Sequence, residues 1–373
     1  MKSADQPMPH PRSQIYYWKC DRPAAFHGTE EQRRNIEEIS AALHGAIQRR
    51  FATPSIELRS GGGQGNHATF FAVIDGVERF VRVDDGPEHD DYLDVESHVL
   101  GRVRELGLPA PLVLAVDATR REVPFAWHVI EKVDWPDLNQ HWKRGVWDAE
   151  SIAGEIGRSI ARWQTIGVTG FGPFDPQQVR DHGRLVGFHA SYEAYFRQHL
   201  ARHLEFLVTR GFLREGLADE MRREIDRHSE LLRLKQGCLV HKDLALWNIL
   251  GSPSEIHALI DWDDTISGDP TDDISLLACF HDAPFLRNVV AGYEAVRPLP
   301  SDWRRRFWLH LLRNLLMKSV IRVGAGYFDR SDGFFLIGSG TSGADLQRFT
   351  LARLSAALEG LREDRPLESL DHA

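Results

Sequence analysis

The stretch "CLVHKDLALWNIL", residues 238–250, places four polar side chains in an otherwise apolar run. These side chains belong to His241, Lys242, Asp243 and Asn248. Burying a polar or charged group costs free energy unless the group is paired, so this pattern needs a cause. The apolar runs "CLV" and, further on, "HALIDW" predict two short strands that flank the motif.

Composition sets the broad class of the protein. The chain has 373 residues, of which 42% are hydrophobic and 27% charged, as in an ordinary soluble protein. This length suits two lobes that share a cleft. A net charge of -9 without a basic stripe argues against a nucleic-acid partner. The three cysteines, Cys20, Cys238 and Cys279, lack zinc or disulfide spacing, which predicts a reducing cytoplasm.

The N-terminus and the most apolar helix bear on membrane targeting. The opening "MKSADQPMPHPRSQ" is polar and has no apolar signal-peptide core, so we predict a flexible leader over residues 1–28. The run "RFWLHLLRNLLMKSVIRVG" is interrupted by Arg313, Lys318 and Arg322 at intervals too short for a bilayer span. We predict an amphipathic core helix here, and no membrane partner.

Residues 29–133 predict a small β-rich lobe. A capping-box pattern at Thr29 and periodic apolar residues indicate a helix over residues 29–50. "TFFAVI" and "VERFVRV" are strand-like and are joined by Asp75-Gly76, a typical hairpin turn. The run "SGGGQGN" precedes this hairpin rather than opening a helix, so a dinucleotide-binding turn is excluded. We predict a glycine flap whose backbone N–H groups can approach phosphates, with glycines at Gly61, Gly62, Gly63 and Gly65.

The remainder of the chain completes an α+β fold. "DVESHVLGRVREL" has helical periodicity and "FAWHVIEKV", residues 125–133, predicts a further strand. From about Asp148 onward the pattern is mainly helical. We therefore predict an antiparallel β N-lobe with one helix over residues 29–133, and a mainly α-helical C-lobe over residues 134–373.

Three residues predict the chemistry. Asp243 and Asn248 are five positions apart, and Asp261 follows thirteen positions later, after an apolar run. Amide and carboxylate oxygens suit a hard cation such as Mg²⁺, and a carboxylate can accept a hydroxyl proton. Phosphoryl transfer uses this combination of groups. His241 is predicted to be structural, since nothing nearby in the sequence supplies the orienting carboxylate of a triad.

Three blocks resemble one family. "HKDLALWNIL", "ALIDWDD" and "GDPTDDIS" resemble, in the right order, the H-G-D-x-x-x-x-N, I-D-W/F and G-D-P-x-x-D motifs of the aminoglycoside phosphotransferase and choline kinase-like family. The resemblance implies a bilobal protein-kinase-like fold, with ATP and Mg²⁺ as cofactors. It also implies that Asp243 is catalytic and that Asn248 and Asp261 bind the metal.

The resemblance extends to the nucleotide site. It implies that Arg82 and Glu96 pair beside the phosphates, that the glycine run covers them, and that the backbone around Glu131 and Val133 meets adenine. Arg82 stands where the family often has Lys, and the two are not interchangeable. Lys242 stands where the family usually has glycine. It either steers an anionic group or packs outside the site.

The acceptor is the most open part of the prediction. Asp263, Asp264 and Asp272 either present carboxylates to an amine-bearing substrate or form a solvated acidic loop. Trp247 either stacks on a substrate ring or walls the interface between the lobes. Our hypothesis is a small-molecule hydroxyl acceptor, an aminoglycoside or related sugar-containing natural product.

Two alternatives stay open at this point. The first is a metabolic kinase for choline, homoserine, a hexosamine or a ketoamine, which would share the same catalytic loop. The second is an inactive kinase fold that serves as a binding module. The missing Lys at position 82 favours the inactive module, and the intact Asp243, Asn248 and Asp261 disfavour it. The sequence leaves the oligomeric state open.

Overall fold

The computed structural model describes residues 9–22, 35–61, 67–330 and 342–371. A one-turn helix, α1 (Trp18–Asp21), comes first, followed by the N-lobe. The N-lobe helices are α2 (Ile36–Phe51) and α3 (Tyr92–Glu105). Its strands are β1 (Ile56–Ser60), β2 (Ala68–Ile74), β3 (Val77–Asp84), β4 (Val113–Asp117) and β5 (Ala126–Glu131). These strands form one antiparallel sheet in the order β1-β2-β3-β5-β4.

The hairpin turn predicted for the N-lobe sheet is confirmed, whereas residues 62–66 of the predicted glycine flap lie outside the described residues. Asp75 and Gly76 join β2 to β3 with φ angles of 50° and 78°, as a two-residue hairpin turn of the primed kind requires. The glycine run lies between β1 and β2, whose register pairs Ser60 with Phe70. Gly61 extends this pairing, because its N–H donates to the carbonyl of Thr69 at 2.7 Å.

The helix predicted over residues 29–50 is observed as α2, with a later start. Asn35 caps it by accepting a hydrogen bond from the Glu37 N–H at 3.0 Å. The predicted capping box at Thr29 lies outside the described residues. Apolar side chains of α2 pack on the sheet; among them are Ile39, Leu43 and Ile47.

The C-lobe is mainly helical, as predicted. Its helices are α4 (Leu138–Lys143), α5 (Ala149–Trp163), α6 (Pro176–His182), α7 (Tyr192–Phe196), α8 (Leu200–Thr209), α9 (Glu215–Arg227), α10 (Asp272–Leu277), α11 (Ala283–Glu294), α12 (Trp303–Gly324) and α13 (Gly343–Glu363). Its strands are β6 (Val168–Thr169), β7 (Phe171–Phe174), β8 (Leu185–His189), β9 (Cys238–Val240), β10 (Ile249–Ser252), β11 (Glu255–Leu259) and β12 (Ile266–Gly268). The strands form the sheet β6-β8-β7-β12-β9 and the separate hairpin β10-β11.

Helix α12 differs from the amphipathic helix predicted for it. It is buried on nearly every face, and its cations Arg313, Lys318 and Arg322 are only 0%, 8% and 5% exposed. The reason is that α12 lies inside the C-lobe, where it packs on α8, α10 and α13. In the described part of the chain, no helix combines the length and apolarity needed to cross a membrane.

The predicted flexible leader is wrong for residues 9–22. Tyr16, Tyr17 and Trp18 are buried, because the segment docks on the C-lobe through a buried carboxylate. Asp21 accepts the backbone N–H groups of Tyr16 and Tyr17, each at 3.0 Å. Its other oxygen lies 2.7 Å from His203 Nε2. Residues 1–8 and 23–34 lie outside the described part of the chain.

Candidate active site

The β10-β11 hairpin and the loop before it bring together Asp243, Asn248 and Asp261, the three residues predicted to carry the chemistry. Strand β9 leads into the loop that carries Asp243, and Asn248 directly precedes β10. The hairpin register pairs Ile249 with Leu259, and the Ile260 N–H donates to the Asn248 carbonyl at 3.0 Å. Asp261 follows at once, so Asn248 and Asp261 meet at the same end of the hairpin.

Asp243 is held between two lysines. Its Oδ1 lies 3.0 Å from Lys318 Nζ, and its Oδ2 lies 2.8 Å from Lys19 Nζ. Burial alone would raise the pKa of this carboxyl, but the two cations outweigh burial and hold the pKa well below its usual range. Asp243 is therefore ionised throughout the neutral pH range.

Asn248 and Asp261 fit a hard cation. Asn248 Nδ2 donates to the Asp243 carbonyl at 2.8 Å, which leaves the amide oxygen as the group available to a metal. Asp261 has a left-handed backbone with φ of 66°, and its side chain is 24% exposed. A non-glycine residue in this conformation is uncommon and often marks a functional site. Together these residues supply the oxygen ligands that Mg²⁺ prefers.

The predicted pair between Arg82 and Glu96 is confirmed. Arg82 Nη1 lies 2.8 Å from Glu96 Oε2, and Nη2 lies 2.5 Å from Asp261 Oδ1. Burial raises the pKa of Glu96 to about 7, against the opposing effect of Arg82. The planar guanidinium thus bridges Glu96 of α3 and Asp261, an arrangement whose geometry a single ammonium group cannot match.

Two acids predicted to face the acceptor lie against protein cations instead. Asp263 Oδ2 is 3.0 Å from His67 Nε2, and Asp264 Oδ1 is 3.6 Å from Arg12 Nη1. Both side chains are buried, so the alternative of a solvated acidic loop is wrong. Burial, reinforced by the neighbouring Asp263, raises the pKa of Asp264 to about 7. These carboxylates do not form an open wall for a cationic substrate.

Lys242 lies outside the catalytic groups in a buried ion pair. Its Nζ is 2.8 Å from Asp272 Oδ2, 3.0 Å from the Tyr16 hydroxyl and 3.1 Å from Asn314 Oδ1. Its φ of 69° explains why the resembling family favours glycine at this position. Asp272, predicted to contact the substrate, is fully buried and engaged by Lys242.

His241 and Asp273 hold the catalytic loop in shape. His241 Nε2 donates to the Ile260 carbonyl at 2.9 Å, and its Nδ1 accepts the Asp243 N–H at 3.3 Å. Burial lowers the pKa of His241, so the ring is neutral. The Asp273 carboxylate accepts the N–H groups of His241 and Lys242 at 2.9 and 3.0 Å. The predicted structural role of His241 is confirmed.

The remaining predicted site residues have definite positions where they are described. A Cβ added to Gly61 would lie 2.7 Å from Thr69 Oγ1, so this position needs glycine. Gly62, Gly63 and Gly65 lie outside the described residues. Glu131 and Val133 border a cavity of about 300 Å³ at the connection between the lobes. Trp247 is half-buried and contacts Phe280 edge-on, with 4.9 Å between ring centroids.

Four charged or titratable residues of the site were not predicted from the sequence. Lys19 and Lys318 contact Asp243, and His67 contacts Asp263. Arg12 lies between the rings of Trp18 and Tyr92 and reaches Asp264. The aromatic run "IYYWKC" in an otherwise polar N-terminus could have indicated that this segment docks on the protein.

Comparison with known proteins agrees with this geometry. The model of the phosphotransferase enzyme family (APH) matches residues 58–309, which is more than half of the chain. The search of curated proteins returned no match.

Three solved structures illustrate the shared fold. A thermostable variant of aminoglycoside phosphotransferase APH(4)-Ia, in complex with AMP-PNP and hygromycin B, is 16% identical with a TM-score of 0.60; the match covers 85% of this chain and 98% of that one. APH(2")-IIa with streptomycin and ATP is 15% identical with a TM-score of 0.53, covering 77% and 92%. A candidate fructosamine-3-kinase from Haemophilus somnus 129PT is 14% identical with a TM-score of 0.55, covering 85% and 96%.

The family match, the kinase-like fold of these neighbours and the arrangement around Asp243 lead to one conclusion. The bilobal α+β fold predicted from the sequence is the fold of these proteins. The chain belongs to the phosphotransferase enzyme family.

Proposed function

We propose that the protein is an ATP- and Mg²⁺-dependent O-phosphotransferase that phosphorylates a hydroxyl group of a small polar molecule. The observation that carries this proposal is the ionised Asp243 carboxylate beside Asn248 and Asp261, with the Arg82 and Glu96 pair on the N-lobe side. ATP as the donor is supported by neighbours of the same fold that bind AMP-PNP or ATP.

Asp243 would align the acceptor hydroxyl. Oδ1 accepts a hydrogen bond from Lys318, and a carboxylate oxygen can accept a second, so a hydroxyl can bind there. The depressed pKa makes Asp243 a weak base, so its contribution is positioning more than proton abstraction. The hydroxyl oxygen would form a bond to the γ-phosphorus of ATP. The bond from that phosphorus to the oxygen bridging the β- and γ-phosphates would break, ADP would leave with its electron pair, and the hydroxyl proton would pass to solvent.

The residues that would hold the nucleotide phosphates are charged or oxygen-bearing. Mg²⁺ bound to the Asn248 amide oxygen and the Asp261 carboxylate would neutralise phosphate charge. Arg82 would contribute a fixed positive charge, and Glu96 would keep its guanidinium oriented. The same contacts favour an active enzyme over an inactive binding module, since Arg82 keeps the pairing with Glu96 that the Lys of kinases makes.

An aminoglycoside or related sugar-containing natural product is the acceptor class that family membership supports, as hygromycin B and streptomycin bind to neighbours of the same fold. The metabolic-kinase alternative keeps the same catalytic groups. The pairing of Asp263, Asp264 and Asp272 with protein cations removes the observation that favoured a cationic acceptor. The cytoplasmic location inferred from cysteine usage stays a prediction.

An ATP-consumption screen with mass detection tests the proposal. The purified full chain with Mg²⁺-ATP would be offered aminoglycosides, amino sugars, neutral sugars and sugar acids. We expect at least one acceptor to gain a phosphate in a Mg²⁺-dependent manner. Failure of the protein to bind Mg²⁺ and AMP-PNP would contradict the proposed function, and turnover of a metabolite but of no aminoglycoside would reject the antibiotic class.

A further inference from the structure

Two cations lie one turn apart on α12, beside the catalytic carboxylate. Lys318 Nζ, which contacts Asp243, lies 5.7 Å from the Phe280 ring centroid. Arg322 Cζ lies 6.0 Å from the same centroid. Residues four apart on a helix share a face. Two buried positive charges therefore follow Asp243 along one face of α12.

Arg322 is buried without a carboxylate partner in the part of the chain that the structure describes. Its guanidinium donates to Thr350 Oγ1 at 2.8 Å and makes no ion pair there. The residue is 5% exposed, and burial lowers its pKa to about 10. An isolated buried charge costs several kcal/mol. An anion bound beside Arg322 would neutralise this buried charge.

A third cation faces the same region from α13. Arg353 is three residues from Thr350 and is 7% exposed. Its Nη2 lies 3.5 Å from Asp371, but its Nη1 has no hydrogen-bond partner among the described residues. Burial raises the pKa of the Cys279 thiol to about 11, against the lowering effect of nearby cations, among them Lys318, Arg322 and Arg353. Arg353 therefore lies one turn along α13 from the residue that Arg322 contacts.

Aromatic walls connect this cationic cluster to the reacting position. Trp247, which precedes Asn248, contacts Phe280. The Tyr17 ring centroid lies 5.1 Å from Lys318 Nζ. Lys318 contacts Oδ1 of Asp243, while Asn248 contacts its backbone carbonyl and Oδ2. The cluster thus reaches the carboxylate oxygen of Asp243 that Asn248 does not contact.

We propose that Lys318 and Arg322, supported by Arg353, form an anion subsite, so that the acceptor carries a carboxylate or phosphate as well as the hydroxyl that is phosphorylated. Within the sugar-containing acceptors proposed above, this favours an acidic sugar over an amine-bearing aminoglycoside. This inference rests on the proposed function, because Asp243 marks the position of the reacting hydroxyl. Carboxylate and phosphate are the groups that a guanidinium binds best, through two parallel N–H bonds. The other possible source of such an anion is the γ-phosphate of ATP, which the experiment separates.

Inorganic phosphate is the probe for the subsite. It would be titrated by calorimetry into the full chain saturated with Mg²⁺ and AMP-PNP, which fills the nucleotide's own phosphate positions. We compare the natural protein with Arg322→Gln and with Arg305→Gln, a control at an exposed position of the same helix. We expect saturable phosphate binding to the natural protein and to the control, weakened about tenfold or more by Arg322→Gln.

Two results would overturn the subsite. The first is equal phosphate affinity in Arg322→Gln and the natural protein. The second is a loss of AMP-PNP affinity in Arg322→Gln with phosphate affinity unchanged, which would assign the cations to the nucleotide. Thermal melting guards against misfolding. Removing an unpaired buried charge should leave the melting temperature of the free protein unchanged or raised, and Arg322→Lys should retain part of the phosphate binding.

A matched set of sugars tests the acceptor class. Glucose, glucosamine, glucuronate and glucose 6-phosphate share one ring and differ in charge. We expect turnover to favour the anionic members, with Arg322→Gln raising KM for them and not for ATP. Preferred turnover of glucose or glucosamine, insensitive to Arg322→Gln, would overturn the inference. If no sugar in the set reacts, the phosphate titration alone tests the anion subsite. Failure of the natural protein to bind AMP-PNP would instead contradict the proposed function.

Discussion

Lys19 Nζ lies 2.8 Å from Asp243 Oδ2, although the two residues are 224 positions apart in the chain. This contact makes the N-terminal segment part of the active site. The Lys19 side chain is 35% exposed, whereas that of Lys318, on the other carboxylate oxygen, is 10% exposed. Lys19 is therefore the more exposed of the two cations that contact Asp243.

The pH dependence of turnover tests the role of Lys19. Lys19 and Lys318 both lower the pKa of Asp243, so the carboxylate stays ionised as pH falls well below neutral. In Lys19→Gln one cation is lost, and the pKa of Asp243 should rise towards its ordinary value. We expect the acid limb of the kcat/KM profile to move to higher pH, with ATP binding unchanged. The control is Lys235→Gln at an exposed lysine, and coincident acid limbs would contradict the assignment.

Arg82→Lys tests whether the bridging guanidinium is needed. Lysine restores the residue common in the family but cannot bind Glu96 and Asp261 in the fork geometry seen here. We expect KM for ATP to rise by about tenfold, or about 1.4 kcal/mol, with a larger loss in Arg82→Gln. Arg59→Lys, at an exposed arginine of β1, is the matched control. Unchanged steady-state kinetics in Arg82→Lys would show that one positive charge suffices.

Lys242→Gly tests the buried pair with Asp272. Glycine relieves a left-handed backbone but leaves Asp272 buried without its cation. We expect a net loss of about 2–4 kcal/mol in the free energy of unfolding, measured in urea. Adding Asp272→Asn should recover part of that loss, because the unpaired charge is then gone. A Lys242→Gly protein as stable as the natural one would mean that the ion pair contributes nothing.

Local sequence patterns predicted the N-lobe and the catalytic loop well. The Asp75-Gly76 turn, the strands beside it and the loop with Asp243 and Asn248 depend on short-range rules of turns and alternation. The pairing of Arg82 with Glu96 followed from the family motif. These features need only their immediate neighbours, or a motif, to be recognised.

The charged surroundings of Asp243 depend on long-range packing and could not be predicted in the same way. Lys19 and Lys318 reach the carboxylate only because the N-terminal segment and α12 pack against the same loop. One pattern in α12 was informative in hindsight. A helix with apolar residues on nearly every face must be buried, so its cations at 313, 318 and 322 had to be buried too and in need of partners. The sequence could not say which partners these were.

The sequence left open whether the acids after Asp261 face a substrate or solvent, because closeness in sequence does not show which way a side chain points. Asp263 turns to His67 in the N-lobe, and Asp264 lies against Arg12 of the N-terminal segment. Both partners come from segments far away in the chain. An acidic run next to a catalytic motif therefore indicates charge at the site, but not whether the charge remains free for a ligand.

The central claim is that Asp243 positions a hydroxyl for phosphoryl transfer. The most direct measurement is single-turnover transfer from Mg²⁺-ATP to an acceptor identified by the screen, in the natural protein, Asp243→Asn and the surface control Asp226→Asn. We predict that Asp243→Asn stays folded and binds AMP-PNP as the natural protein does, while transfer slows about 10²–10⁴-fold. Transfer by folded Asp243→Asn at the rate of the natural protein would contradict the account.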